Sequence, residues 1–255
     1  MDSASKITHP SPPRHVRKGI VNRLIYVGRD LLAWRMFPAL RKYCHGNVLD
    51  VGGFDFFRTA VKRGIPFTSW TTIDPSHETL PEIRDPRFRL LDGDGCSMEQ
   101  VESNTFDTVI NLQVLEHVFE PMKMVQEIQR VLKPGGHAIF LIPQTNTLHL
   151  APYHYYNFTR YWILEAMQRA NLEIVSLQAL GGRWCSSASN LVYFLPQSLG
   201  SSGMRVHEER RPILFYLLYP FMVATVIALV PLFLLLSLGD VKEEANNHLV
   251  IVRKR

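Results

Sequence analysis

The chain has 255 residues, enough for one sizeable core and an elaboration, and its 46% apolar and 20% charged residues exclude a disordered or fibrous protein. A formal charge of +5 is modest, and its basic clusters at 14–18, 205–211 and 253–255 suit anionic lipid head groups, nucleic acid or an ordinary solvated face. Cys44, Cys96 and Cys185 show neither metal-ligand spacing nor an even number, which fits a reduced, cytoplasmic setting.

Residues 1–14, with Ser-Pro-Pro and scattered polar side chains, read as disordered and lack the apolar core of a signal peptide. From 17 to 43 apolar residues recur at helical spacing with basic residues between them, predicting one or two helices interrupted near Pro38. Strand-like runs follow at nearly regular intervals: NVLDVG, SWTTID, RFRLLD, FDTVINL and GGHAIFLIP. FTRYWILEAMQRA then reads as a helix, NLEIVSLQALGG as a sixth strand and HLVIVRKR as a seventh. The alternation predicts an α/β fold, a doubly wound and mostly parallel seven-stranded sheet with helices on both faces. LKPGG, before the fifth strand, reads as a helix stop and tight turn.

Pro212 to Gly239 contains no charged residue and meets the length criterion of roughly 20 apolar residues for a membrane span. A single crossing would separate HLVIVRKR from the sheet it should complete, and two crossings need about twice the residues. Pro220 and Pro231 favour kinks. The expectation is therefore two or three short helical pieces that enter one leaflet and return. A buried helical hairpin, a dimer interface and, if the last strand lies outside the sheet, a single-pass helix are the alternatives.

Ligands of open parallel sheets bind beyond the carboxyl ends of the strands. The order FDTVINLQVLEHVFEP, helix, RVLKPGG, strand resembles the class I S-adenosylmethionine-dependent methyltransferases over about 47–182 and the last ten residues. The resemblance implies a Rossmann-like sheet whose seventh strand is antiparallel between the fifth and sixth, with S-adenosyl-L-methionine as cofactor. It also carries cofactor-binding roles to Asp50, Gly52 and Gly53 in VLDVGG, to Asp74 for the ribose, and to Asp92 and Gly93 near the adenine. Asn111, Leu112 and Gln113 would line the methionine side. Phe54 and Phe56 stand where the family pattern has further glycines, so they could crowd the cofactor. Asp74 would equally serve as an N-cap and Asp92-Gly93 as a plain turn.

Glu116 and His117 open the turn after the fourth strand, and His117 has a structural or a catalytic reading. The loop QTNTLHLAPYHYYNFTRYW crowds His149, His154, Tyr155, Tyr156 and Arg160 together, a pattern similar to methyltransferases encoded with bacterial polysaccharide and lipid pathways. His154 could act as general base toward an acceptor hydroxyl, or simply pack the loop. No HxxxH, CxxC or acidic cluster signals a metal site. The resulting division is a basic tail with helices (1–46), a cofactor domain (47–182 with 246–255) and a membrane-associating insertion (183–245). The expected activity is O-methylation of a glycan, lipid-linked sugar or other amphipathic acceptor at the cytoplasmic side of a membrane bearing anionic lipids, monotopic or single-pass, with no nucleic acid as partner. A catalytically silent interaction protein on this fold and a quinone or lipid methyltransferase are the competing readings.

Overall fold

The computed structural model describes residues 35–75, 82–150, 152–199 and 211–255. The disordered tail expected for 1–14 and the helix expected before residue 35 lie outside these. In chain order the elements are α1 (Met36–Tyr43), β1 (Asn47–Val51), α2 (Phe56–Lys62), β2 (Ser69–Ile73), β3 (Phe88–Leu91), β4 (Phe106–Leu112), α3 (Pro121–Val131) and β5 (Leu132–Pro143). They continue with α4 (Arg160–Arg169), β6 (Leu172–Leu180), α5 (Arg183–Ser198), α6 (Ile213–Leu236) and β7 (Asn247–Lys254).

One seven-stranded sheet runs in the order β3-β2-β1-β4-β5-β7-β6. β3 to β5 pair in parallel, and β7 is antiparallel to both β5 and β6. Because side chains alternate across a strand, the apolar runs that looked continuous in sequence feed two cores. Leu49, Phe140, Val250 and Val252 pack with Met124, Val125 and Ile128 of α3 and Ile163 of α4. Their neighbours Val48, Ile139, Leu249 and Ile251 pack with Met36, Phe37 and Leu40 of α1 and Phe57 of α2. Trp70, fully buried, anchors the second core with Phe57 and Phe67 rings at 6.0 and 5.2 Å.

α1 starts at Met36 with Pro38 in its first turn, where the missing N–H costs no intrahelical bond, and the stretch before Arg35 lies outside the described residues. Two expectations change. The Lys133–Gly136 segment is a bulge within β5, since pairing jumps from Phe106↔Leu132 to Thr108↔His137. Gly135 takes φ +78 there, and Lys133 Nζ anchors the bulge on Asp107 at 2.6 Å. The apolar segment is one continuous helix, α6, with Pro220 and Pro231 inside it.

α6 spans 24 residues, about 36 Å at 1.5 Å per residue. It runs back alongside α5: Tyr219 Oη donates to the Leu195 carbonyl at 2.8 Å near one end, and Trp184 meets Phe233 at 5.2 Å near the other. Asp240 closes the base, accepting from the Trp184 and Cys185 amides at 3.0 Å each and so capping α5 from the far side of the hairpin. Only 6% of the most apolar window of α6 is buried, and Leu217 and Ile227 are 65% and 68% exposed.

Ile251, 1% exposed at the centre of the antiparallel strand, tests this topology. Ile251→Ala is expected to cost about 2–5 kcal/mol of unfolding free energy by urea titration. A surface strand at the end of the chain would lose much less.

Candidate active site

The carboxyl ends of β1, β2, β3, β4 and β5 lie along one edge of the sheet, and strand order reverses between β1 and β4. At the end of β1, Asp50 is fully buried, and neither of its carboxyl oxygens has a hydrogen-bond partner among the described residues. Burial pushes its pKa well above the usual carboxylate range, and the charge of Asp74 pushes it further. The Trp70 indole offsets part of this without making a hydrogen bond.

Gly53 lies directly over this carboxyl, and a Cβ there would overlap it. Gly52 takes φ +70 and donates to the Ile73 carbonyl at 2.8 Å, and a Cβ on it would come within 2.7 Å of the Val114 side chain. Only glycine meets both demands. The loop is thus a backbone cradle floored by an acidic group.

Phe54 and Phe56 separate in role. Phe56 turns its ring into the second core, 6.2 Å from Trp70, away from the cradle. Phe54 adopts φ +46, a left-handed conformation unusual for a large side chain, and its amide donates to Asp74 Oδ2 at 3.3 Å. The missing family glycine is therefore replaced in conformation if not in size. Asp74 is 5% exposed and continues the β2–β3 pairing through its amide to the Leu91 carbonyl.

Asp92 is exposed, and its carbonyl accepts from Gln100 Nε2 at 3.0 Å. Gly93 is packed against Ile73 and Gln100 too closely for a Cβ. Across the switch point Asn111, 1% exposed, donates to the Val51 carbonyl at 3.3 Å, while its Oδ1 is buried without a hydrogen-bond partner. Asp50, Gly52, Gly53, Asp74 and Asn111 thus come together around the ends of β1, β2 and β4. Leu112 packs against the second core, and Gln113 faces another neighbourhood.

Gln113, at φ +60, donates to Asn247 at 2.6 Å and accepts from Asn146 at 3.1 Å. Beside it His248, 2% exposed, bonds through Nε2 to Gln144 Oε1 at 2.6 Å and leaves Nδ1 without a partner. Burial, and then the nearby charge of Arg160, hold the His248 pKa down at about 4. The sequence reading gives these residues no functional role, since His248 enters it only as the first residue of the strand HLVIVRKR. An antiparallel last strand necessarily brings its amino end to the edge where its neighbours have their carboxyl ends, and that signal was available.

His117 follows in the short turn after β4. Its Nδ1 donates to the Tyr153 carbonyl at 2.9 Å and its Nε2 lies 3.7 Å from Glu116 Oε1. Burial, then the charges of His149 and His154, hold its pKa at about 4 despite the Tyr153 bond. His154 is engaged at both nitrogens: Nδ1 accepts from the His149 amide at 3.2 Å and Nε2 donates to the Tyr156 carbonyl at 3.1 Å. Its lone pair is therefore already used in bracing the loop, which leaves none for an acceptor hydroxyl in this conformation. The Phe158-Thr159 part of the loop motif is structural as well. Thr159 caps α4, accepting from the Trp162 amide, and the buried Phe158 stacks on Trp162 at 4.3 Å. Although the chain shows no metal-ligand spacing, folding brings Glu116, His117 and His149 together with donor atoms within 4.8 Å of one another.

Residues 49–140 match the family described as Methyltransferase domain. Over 156 residues the chain is 27% identical to the chloroplastic 2-methyl-6-phytyl-1,4-hydroquinone methyltransferase 1 of Oryza sativa subsp. japonica, covering 56% of this chain and 46% of that protein. It superposes on an S-adenosylmethionine-dependent methyltransferase from Archaeoglobus fulgidus with TM-score 0.54 and 11% identity, over 92% of this chain and 95% of that one. For phosphoethanolamine N-methyltransferase 2 of Haemonchus contortus in complex with S-adenosyl-L-methionine the TM-score is 0.52 at 16% identity, over 90% of this chain and 56% of that one. The chain spans a little under half the length of the first curated relatives it matches.

Asp50 gives a test with a definite sign. Its folded-state pKa is raised, so the folded protein keeps a proton that the unfolded chain releases once pH passes about 4. Stability from this group therefore falls as pH rises from that point until the raised pKa is passed. Asp50→Asn is expected to melt above the wild type at neutral pH and to converge with it toward pH 4, as measured by thermal denaturation without ligand. A variant that melts lower at neutral pH would mean the carboxylate is stabilising and paired.

Proposed function

We propose that this chain, a class I S-adenosylmethionine-dependent methyltransferase by its match over 49–140, methylates an amphipathic, lipid-tailed acceptor while resting on the cytoplasmic face of a membrane. The observation that carries this reading is the place where α5 and α6 are rooted. β6 ends, and β7 begins, at the same edge of the sheet as the glycine cradle. The exposed apolar helix therefore leaves the body beside the site. The loop after β5 is tied to its base: Gln144 Nε2 donates to the Glu243 carbonyl at 2.8 Å, and Thr145 Oγ1 bonds Ser186 Oγ at 2.8 Å.

A single crossing by α6 would pull β7 away from β6, with which it pairs from Leu172↔Lys254 to Leu180↔Asn247. α5, with 16 residues and about 24 Å, is short of a hydrocarbon core of about 30 Å. A hairpin embedded in one leaflet satisfies both limits, so the monotopic reading is preferred to a single pass. The three free cysteines are consistent with the cytoplasmic face.

The cofactor fits the residues present. S-adenosylmethionine, when bound, supplies a methyl group on a positively charged sulfur. Asp50, with its buried carboxyl and glycine roof, would receive the cationic methionine end through that loop, and Asp74 the ribose hydroxyls. Asp92 and Gly93 would border the adenine, with Asn111 beside the methionine. The protein's main contribution would be alignment of acceptor and methyl group in line. His154, with both ring nitrogens already used, would hold the loop in place rather than take the acceptor's proton. The rice relative acts, by its name, on a phytyl-tailed hydroquinone. With α6 beside the site, that favours an isoprenoid-tailed phenol or lipid-linked sugar over a free glycan.

The decisive experiment supplies full-length protein in vesicles with methyl-labelled donor and a lipid extract. Label should appear in an organic-phase product. Absence of product together with absence of donor binding would point instead to a silent interaction protein. Asp50→Asn should weaken donor binding about 10- to 100-fold in calorimetric titration, the scale of a lost charge-assisted hydrogen bond of about 1.5–3 kcal/mol. The paired substitution Leu217→Asp with Ile227→Asp places charge on the exposed face of α6. It is expected to move the protein from the membrane to the soluble fraction with donor affinity unchanged, and retention in the membrane would disprove the anchor.

A further inference from the structure

Glu116 and His117 sit on the rigid turn that follows β4, and His149 hangs over them from the loop after β5. Glu116 is 0% exposed, and the His117 and His149 rings meet edge to face at 4.8 Å. Two backbone carbonyls orient the rings. His117 Nδ1 donates to Tyr153 O and His149 Nδ1 donates to Thr147 O, each at 2.9 Å. In the neutral rings this places both lone pairs on Nε2, the arrangement by which outer carbonyls aim histidine ligands at a metal ion. His154 adds a second brace by accepting the His149 amide, and the Tyr155 amide donates to the Glu116 carbonyl at 2.8 Å, pinning loop to turn.

We propose that Glu116, His117 and His149 form a binding site for one divalent transition-metal ion of zinc-like character, with a fourth position open to water or a ligand. Two imidazoles and one carboxylate are the donor set that borderline divalent ions accept, and three protein ligands leave a tetrahedral ion one open position. In a tetrahedral site with bonds of about 2.0–2.1 Å, donor atoms lie about 3.4 Å apart. The present donors fall within 4.8 Å, so closure needs a shift of about an ångström. The loop can supply it, because His149 is half-buried and carried by a segment without regular structure, whereas the turn is fixed between β4 and α3. Metal binding and methyl transfer are separable: the site stands whether or not the acceptor assigned above is correct.

The test uses metal-free full-length protein in detergent, titrated with zinc against a chromophoric chelator, with cobalt as a spectroscopic stand-in. The wild type should bind one equivalent, and cobalt should give the visible bands of a low-coordinate site with nitrogen ligands. His149→Ala, on the loop, should weaken zinc at least about tenfold. His149→Cys, which restores a zinc ligand but not the imidazole packing, should recover most of that loss. Three results would each overturn the proposal: no zinc binding by the wild type, equal binding by His149→Ala, or a loss in His149→Ala that His149→Cys does not recover. Equal binding would assign the zinc to histidines elsewhere on the chain, and the unrecovered loss would make His149 a packing residue.

Discussion

The last strand runs against both of its neighbours, and most of what makes this chain more than a generic nucleotide-type sheet depends on that reversal. To enter between β5 and β6 in the opposite sense, the chain must finish β6 at the carboxyl edge and begin β7 at the same edge. Whatever lies between them has to leave from that edge and come back to it. Here the intervening segment is the α5–α6 hairpin, closed at its base by Asp240, so an uncharged and exposed helix is rooted at the same edge of the sheet as the cradle. The same reversal delivers Asn246, Asn247 and His248 to the edge, where they meet Gln113 and Gln144. A parallel seventh strand would have placed those polar groups at the opposite end of the sheet.

The second constraint is electrostatic. Asp50 occupies a position where its ionised form has neither solvent nor, among the described residues, a hydrogen bond, and Gly53 lies directly over it. A group in that state destabilises the empty protein once ionised, and it favours a cationic ligand for the same reason. Phe54 bears a related strain in its backbone, held by the bond from its amide to Asp74. Conformational and electrostatic cost both collect in the loop between β1 and α2, as is common where a protein must recognise something.

Much of this was legible in the sequence. The seven strands follow from apolar runs at regular spacing, and the antiparallel insertion of the last between the fifth and sixth is what the family resemblance carried by VLEH and RVLKPGG implies. Asp50, Gly52, Gly53 and Asp74 could be located because they are local: a strand end, a tight turn and the next strand end. What could not be read depends on distance in space or on tertiary context. The two prolines of α6 promised breaks, but an apolar segment with α5 to pack against tolerates them in one helix. His154 looked like a base until the loop was seen to use both its nitrogens. Glu116 and His149 are 33 residues apart in numbering, and nothing in the spacing of either announces that β5 returns beside β4 and brings them together. Phe54 and Phe56 looked alike as letters, yet the helix start turns one ring into the core while the other stays with the loop.

The insertion of β7 also dictates an order of events during synthesis. Each strand from β2 to β5 finds a partner already made, but β6, at the edge of the sheet and paired there with β7, has none until β7 appears. The hairpin is made first. A ribosome producing this chain therefore releases a long greasy helix while the body next to it is still an open, incomplete sheet. If lipid is close at that moment, the helix is sheltered before the sheet closes. If it is not, an unsatisfied strand edge and an uncovered apolar helix are exposed together, the combination that most readily leads to aggregation.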